Sequence, residues 1–173
     1  QYNAPVVKAK LITILRNSTM SDNTWKSDSR EKMVARYEAT LSLSNPDKKS
    51  AKNAIFLPSG NALCVKQALA SGIITTDTLL IVAERHGTIR EQMKQSLADL
   101  GFTCGDNLYI HSGNIDTLDL RKPLPKGGKV DYAYLDFCGE VNNSTFGWLC
   151  HASKFFAKKA DVWTTLSFAG RGA

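Results

Sequence analysis

The stretch NAIFLPSGNALCVKQALASG, Asn53 to Gly72, decides the fold. It opens on a short apolar run, Ala54 to Leu57, that is too brief for a helix and is closed by Pro58, Ser59 and Gly60. A helical pattern follows from Asn61 and stops at Gly72, a residue that accepts the left-handed backbone at a helix end. One apolar strand, one tight polar turn and one helix make the first half of a strand–helix–strand unit.

The same unit recurs outward along the chain. TLLIVAE (78–84) is a second apolar run, and GTIREQMKQSLADLG (87–101) is a second helix closed by Gly101. NLYIHSGN (107–114) reads as a third strand, and IDTLDLRKPLPKGG (115–128) as a short helix or turn with a Pro/Gly loop. KVDYAYLDF (129–137) is a fourth strand. TFGWLCHASKFFAKKA (145–160) reads as a further helix, with Lys158 and Lys159 complementing the dipole at its end. DVWTTLSFAG (161–170) is a fifth strand. Short connections and continuous rather than alternating apolar strands predict a mostly parallel sheet covered on both faces, a three-layer α/β/α domain.

Residues 1–50 read differently. Val7, Leu11, Ile14 and Leu15 have helical spacing, and Asp28 with Glu31 makes a capping-box start for a second stripe through Met33, Val34, Tyr37 and Leu41. The expected organisation is a basic helical segment over 1–50 followed by an α/β domain over 51–173. Residues 1–53 carry ten Lys/Arg against five Asp/Glu, whereas the remaining 120 residues carry 12 against 11, so the net charge of +6 belongs mainly to the first segment. Such a flank suits contacts to DNA or RNA phosphates, or a solvated helical surface. The chain opens on Gln1 rather than Met and stops just after an apolar run, which reads as a piece of a longer chain.

No apolar run approaches the roughly 20 residues of a membrane helix, so no membrane partner is expected. The four cysteines lack zinc spacing, and three lie in or beside apolar runs, which suits reduced core thiols and a cytoplasmic setting. His86 and His111 lack a third ligand at matching spacing, so no metal is expected. Trp148 and Trp163, like Trp25, read as core or interface residues.

In an open parallel sheet, ligands sit at the carboxyl ends of the strands. Four polar or glycine-bearing sets fall there: Pro58-Ser59-Gly60-Asn61, Glu84-Arg85-His86, His111-Ser112-Gly113-Asn114 and Asp136-Phe137-Cys138-Gly139. The opposite ends, at Lys52-Asn53, Asp77 and Asp131, read as plain turns or surface. FLPSGN has one glycine, neither GxGxxG nor a P-loop. It is either a ligand loop or a plain turn with Ser59 or Asn61 capping the helix. Glu84 lies 24 residues after Gly60, where an acid can accept hydrogen bonds from ribose hydroxyls or pair with Arg85 or Arg90.

This order of pieces, from about Lys52 to Gly170, resembles the class I Rossmann-like S-adenosylmethionine (SAM)-dependent methyltransferases, and is reminiscent of phage-type or divergent members. The resemblance implies SAM as cofactor. It implies Pro58, Ser59 and Gly60 beside its methionine part, Glu84 on the ribose, Arg85 and His86 beside the adenine, and Asn114 near the adenine amino group. Asp136 would start the catalytic loop, where it could orient an acceptor N–H or O–H or contact the cofactor's ammonium, with Phe137 stacking on a flat acceptor or packing. The departures are the thin glycine loop, Asp136-Phe137-Cys138-Gly139 in place of a proline-bearing motif, and the family's final antiparallel hairpin, which is not in these 173 residues. Cys138 reads as a packed thiol rather than a nucleophile. A methyltransferase, a non-catalytic module for binding or assembly built on the same fold, and another Rossmann-like nucleotide enzyme all remain open.

Overall fold

The structure, a computed structural model, describes residues 49–137 and 143–165. The expected helices within residues 1–48, Trp25, Cys138 and Gly139 lie outside them. Five strands form one sheet: β1 (Asn53–Phe56), β2 (Leu79–Ala83), β3 (Leu108–His111), β4 (Val130–Asp136) and β5 (Phe156–Thr165). Three helices join them: α1 (Leu63–Ala70), α2 (Gly87–Asp99) and α3 (Asn143–Ala152). A single 3-10 turn, Ile115–Thr117, and an irregular stretch carry the chain from β3 to β4.

The strand order is β3-β2-β1-β4-β5 and every pairing is parallel. The chain therefore builds outward from β1 to β3, then returns to the other side of β1 for β4 and β5. That reversal puts the topological switch point between the carboxyl ends of β1 and β4.

Alternation along the strands sorts the apolar residues into two cores. Phe56, Leu80, Val82, Tyr132 and Tyr134 face Val65 and Ala68 of α1 and Met93 and Leu97 of α2. Phe56 stands 5.5 Å from Tyr132 and 6.2 Å from Tyr134, ring centre to ring centre, within the range of favourable aromatic pairs. On the other face Ile55, Ile81, Ala133 and Leu135 meet Ile115, Leu118, Leu120 and Leu124, with Trp148 and Ala152 of α3. The α/β/α layering is as expected, although the second outer layer is one helix and an irregular segment. Trp148 and Trp163 are core residues, and the Trp148 indole also donates to the Leu118 carbonyl at 2.9 Å.

Gly72 (φ 75°) and Gly101 (φ 93°) take the left-handed conformation just past α1 and α2, as their positions predict.

The boundary between α3 and β5 departs from expectation. The helix ends at Ala152, and β5 begins at Phe156 rather than Asp161. Phe155, Phe156, Ala157 and Ala160 have spacing that suits a helix, but Phe156 pairs with Val130 at the start of β4 and is buried there. Lys158 and Lys159 are thus strand residues and complement no helix dipole. Tyr132 then pairs with Asp161, so the register shifts between Val130 and Tyr132 and β5 absorbs extra residues as an irregularity.

The amino-terminal ends of the strands are more than turns. Asp131 Oδ2 accepts the backbone N–H groups of Lys52 (2.9 Å) and Asn53 (3.2 Å), and the buried Asn53 amide donates to the Lys129 carbonyl at 2.8 Å. Asp131 is half-buried and latches the base of β1 to β4. Among the described cysteines only Cys64 is a core thiol; Cys104 and Cys150 are exposed. No described helix is long and apolar enough to cross a membrane.

Candidate functional site

The parallel register brings the carboxyl ends of β1 to β4 to one edge, and with them the first three polar sets and, of the fourth, Asp136 and Phe137. Leu57, directly after β1, donates its N–H to the Tyr134 carbonyl at 3.2 Å, which holds the exit of β1 against β4. The chain then turns through Pro58, Ser59, Gly60 and Asn61 into α1. The turn has no side-chain cap: the N-cap of α1 is Ala62, with φ 48° and ψ 36°, and neither Ser59 nor Asn61 serves. Asn61 and Ser59 are exposed, while Pro58, Gly60 and Ala62 are buried.

Ala62 is the only described residue other than glycine with positive φ. Ala62 thus holds, at the entry to α1, a left-handed torsion that glycine adopts more readily. The residue types of the loop do not signal this torsion.

Glu84 follows β2 immediately and is half-buried. Its backbone N–H donates to the His111 carbonyl at 3.1 Å, which extends the β2–β3 ladder by one step. One carboxylate oxygen accepts the backbone N–H of His86 at 2.7 Å. Neither arginine takes the carboxylate: Arg90 donates to the Glu84 main-chain carbonyl at 3.3 Å, and Arg85 Nε donates to His86 Nε2 at 3.0 Å. The carboxylate is therefore oriented by its own turn, and the alternative pairing with Arg85 or Arg90 is not formed.

His86 and His111 have separate partners. His111 Nε2 lies 2.7 Å from the Thr117 hydroxyl, which donates its own proton to the Asn114 carbonyl at 2.7 Å. With that proton committed, the imidazole Nε2 carries hydrogen and donates to the threonine. Burial pushes the His111 pKa below its ordinary value, nearby Lys122 pushes it the same way, and a hydrogen bond with the Asn114 main chain opposes both. Asn114 starts the 3-10 turn after β3 and is itself exposed. Among the described residues no group of three or more His, Cys, Asp or Glu side chains is arranged to hold a metal ion.

Asp136 ends β4, half-buried. Strand alternation sets it on the face of Tyr132 and Tyr134, the α1 face, and its charge is felt by Cys64 in the first turn of α1. The Cys64 thiol is pushed up to about 12, first by burial and less by Asp136. Phe137 is half-buried and packs against the opposite core, beside Leu135.

Coclaurine N-methyltransferase, solved with N-methylheliamine and SAH, superposes on 87% of this chain with a TM-score of 0.52 at 11% identity. The fold is that of the class I methyltransferases. This chain spans 38% of that protein's length. An assigned caffeoyl-CoA O-methyltransferase from Staphylococcus aureus (75% of this chain, 64% of its own, 14% identity) and the plantazolicin methyltransferase BamL (78% and 50%, 11% identity) align at a TM-score of 0.44, too low to carry weight. No protein-family model and no curated protein matches the sequence. The strand order β3-β2-β1-β4-β5 is that of a Rossmann-like sheet.

Proposed function

We propose that this chain is the SAM-binding core of a SAM-dependent methyltransferase, with its cofactor across the carboxyl ends of β1, β2 and β4. The observation that carries this reading is Glu84. A half-buried carboxylate at the end of β2 has one oxygen committed to a backbone N–H and no ion pair among the described residues. It keeps the acceptor capacity that a ribose diol requires. Leaving such a group without a partner would cost desolvation energy, which a ribose would offset. Coclaurine N-methyltransferase, which shares the fold, was solved with SAH, and this supports the assignment.

The remaining roles follow from position. Pro58, Ser59 and Gly60 line the turn beside the methionine part. Arg85 and His86 flank the adenine after Glu84, and Asn114, at the end of β3, lies nearest its amino group. When bound, SAM supplies a methyl group on a sulfonium, open to in-line displacement. Holding two partners in line is then the protein's main contribution. Asp136 either orients an acceptor N–H or O–H or accepts from the cofactor's ammonium. Phe137 supports the loop by packing.

A nucleic-acid acceptor is part of the proposal, since the basic excess of residues 1–53 suits phosphate contacts that position without specifying sequence. Affinity for DNA or RNA that does not fall with rising salt would count against it. The second reading, a SAM-binding module without catalysis, is favoured by the packing of Phe137 into the core rather than toward an acceptor. Incubation with methyl-tritiated SAM and pools of DNA, RNA and small amines separates the two. Label transferred by the wild type and lost with Asp136→Ala supports the enzyme. SAM uptake with no transfer to any pool leaves the binding module.

A further inference from the structure

We infer that Gln92 of α2 is a positioning residue for the β1–α1 turn, its exposed side chain lying over Gly60, where an added side chain would displace it and break its bond to Asn61. The inference rests on the cofactor reading above for its consequence, but not for its geometry. An added Cβ at Gly60 would lie 2.6 Å from Gln92 Oε1 and 2.8 Å from its Cδ. The backbone does not demand glycine here, since Gly60 is absent from the described residues with positive φ. Gln92 Nε2 donates to Asn61 Oδ1 at 3.1 Å, across 31 residues of sequence. One helical turn on, the Ser96 hydroxyl donates to the Gly60 carbonyl at 2.7 Å. Two side chains of α2 thus grip the turn that enters α1.

The consequence is a link between two parts of the candidate site. Glu84 and His86 lead directly into α2, and α2 holds the Gly60 turn. A ligand that engages Glu84 meets a turn already set by the same helix, so the ordering cost on binding is reduced.

The test has two arms. In the first, SAH is titrated into wild type, Gln92→Ala, Gln92→Met and Gly60→Ala. Each variant should weaken SAH by about fivefold, the loss of one hydrogen bond, with circular dichroism unchanged. Gln92→Met fills the space without a donor and should match Gln92→Ala. A wild type that binds SAH and a Gln92→Ala variant that binds it equally overturn the inference. In the second arm, urea unfolding without ligand compares Gly60→Ala, Gln92→Ala and the double variant. Gly60→Ala should lower the midpoint by roughly half a molar in the wild-type background and add nothing once Gln92 is alanine. Additive effects, or no effect of Gly60→Ala alone, overturn it. Should the wild type take up neither SAM nor SAH, the cofactor reading falls, and the second arm still decides the grip of Gln92.

Discussion

Glu84 accepts the backbone N–H of His86 at 2.7 Å, so the acid that ends β2 also shapes the turn into α2. Arg85 and Arg90, both after Glu84 in the chain, take other partners, the His86 ring and the Glu84 main chain. The carboxylate is fixed in place by a neutral backbone donor. Around it the methyltransferase fold sets the Gly60 turn on one side and His111 with Asn114 on the other.

Cys64 should be chemically silent in the folded protein. Its thiol is buried and pushed up to about 12, so almost no thiolate exists at pH 8. Native protein treated with a thiol reagent should give the same count of reacted groups for wild type and Cys64→Ser. In denaturant the variant should react at one thiol fewer. A native Cys64 that labels as fast as the exposed Cys104 and Cys150 would contradict the packing of α1.

Ala62 carries backbone strain that glycine would relieve. A residue with a Cβ at φ 48° costs about 1–2 kcal/mol, while deletion of its buried methyl costs about 0.8 kcal/mol. Ala62→Gly should therefore change stability by no more than about 1 kcal/mol in denaturant titration. Ala62→Val, with a branched carbon in the same conformation and no room in the core, should cost at least about 2 kcal/mol.

The His111 ring makes stability fall in mild acid. Its folded pKa lies below the ordinary 6.5, so the unfolded chain binds the proton more tightly. The contribution of His111 is therefore fully present above pH 6.5 and is lost as pH falls below that value through the folded pKa. Urea midpoints measured from pH 7.5 to 5 should drop more for wild type than for His111→Gln, a variant without a titrating ring. Equal slopes would show that burial and Lys122 do not lower the His111 pKa in the folded protein.

Asp131 should matter to stability and not to the ligand edge. It accepts two backbone N–H groups at the base of β1, and Asp131→Ala leaves both without a partner. A loss of about 1–3 kcal/mol is expected, with unaltered SAH affinity, because the latch lies at the opposite end of the sheet. An equal loss in SAH affinity would mean that the two ends of the sheet are coupled.

The strands were legible because buried parallel strands are nearly all apolar: LLIVA and VDYAYLD each stand out from their polar flanks. Glycine made the stops at Gly72 and Gly101 legible as well. The α3–β5 boundary was not, because the spacing of Phe155, Phe156 and Ala160 fits a helix until the pairing of Phe156 with Val130 overrides it. That the polar residues after β1, β2 and β3 share one edge with Asp136 followed from the parallel strand order. The role of Gln92 did not, since its partner Asn61 is 31 residues away, and no local pattern marks it. Ala62 was hidden for a different reason: its glycine-like torsion is imposed by the turn rather than encoded in its side chain.

The most direct test of the account is calorimetric titration of SAH into wild type and Glu84→Gln. The glutamine carbonyl can still accept the His86 N–H, so the turn is retained while the charge and half of the acceptor capacity are lost. The account predicts micromolar binding by the wild type and a loss of at least about tenfold in the variant, with the same unfolding midpoint. A folded wild type that takes up neither SAH nor SAM, or a variant that binds as tightly as the wild type, would contradict it.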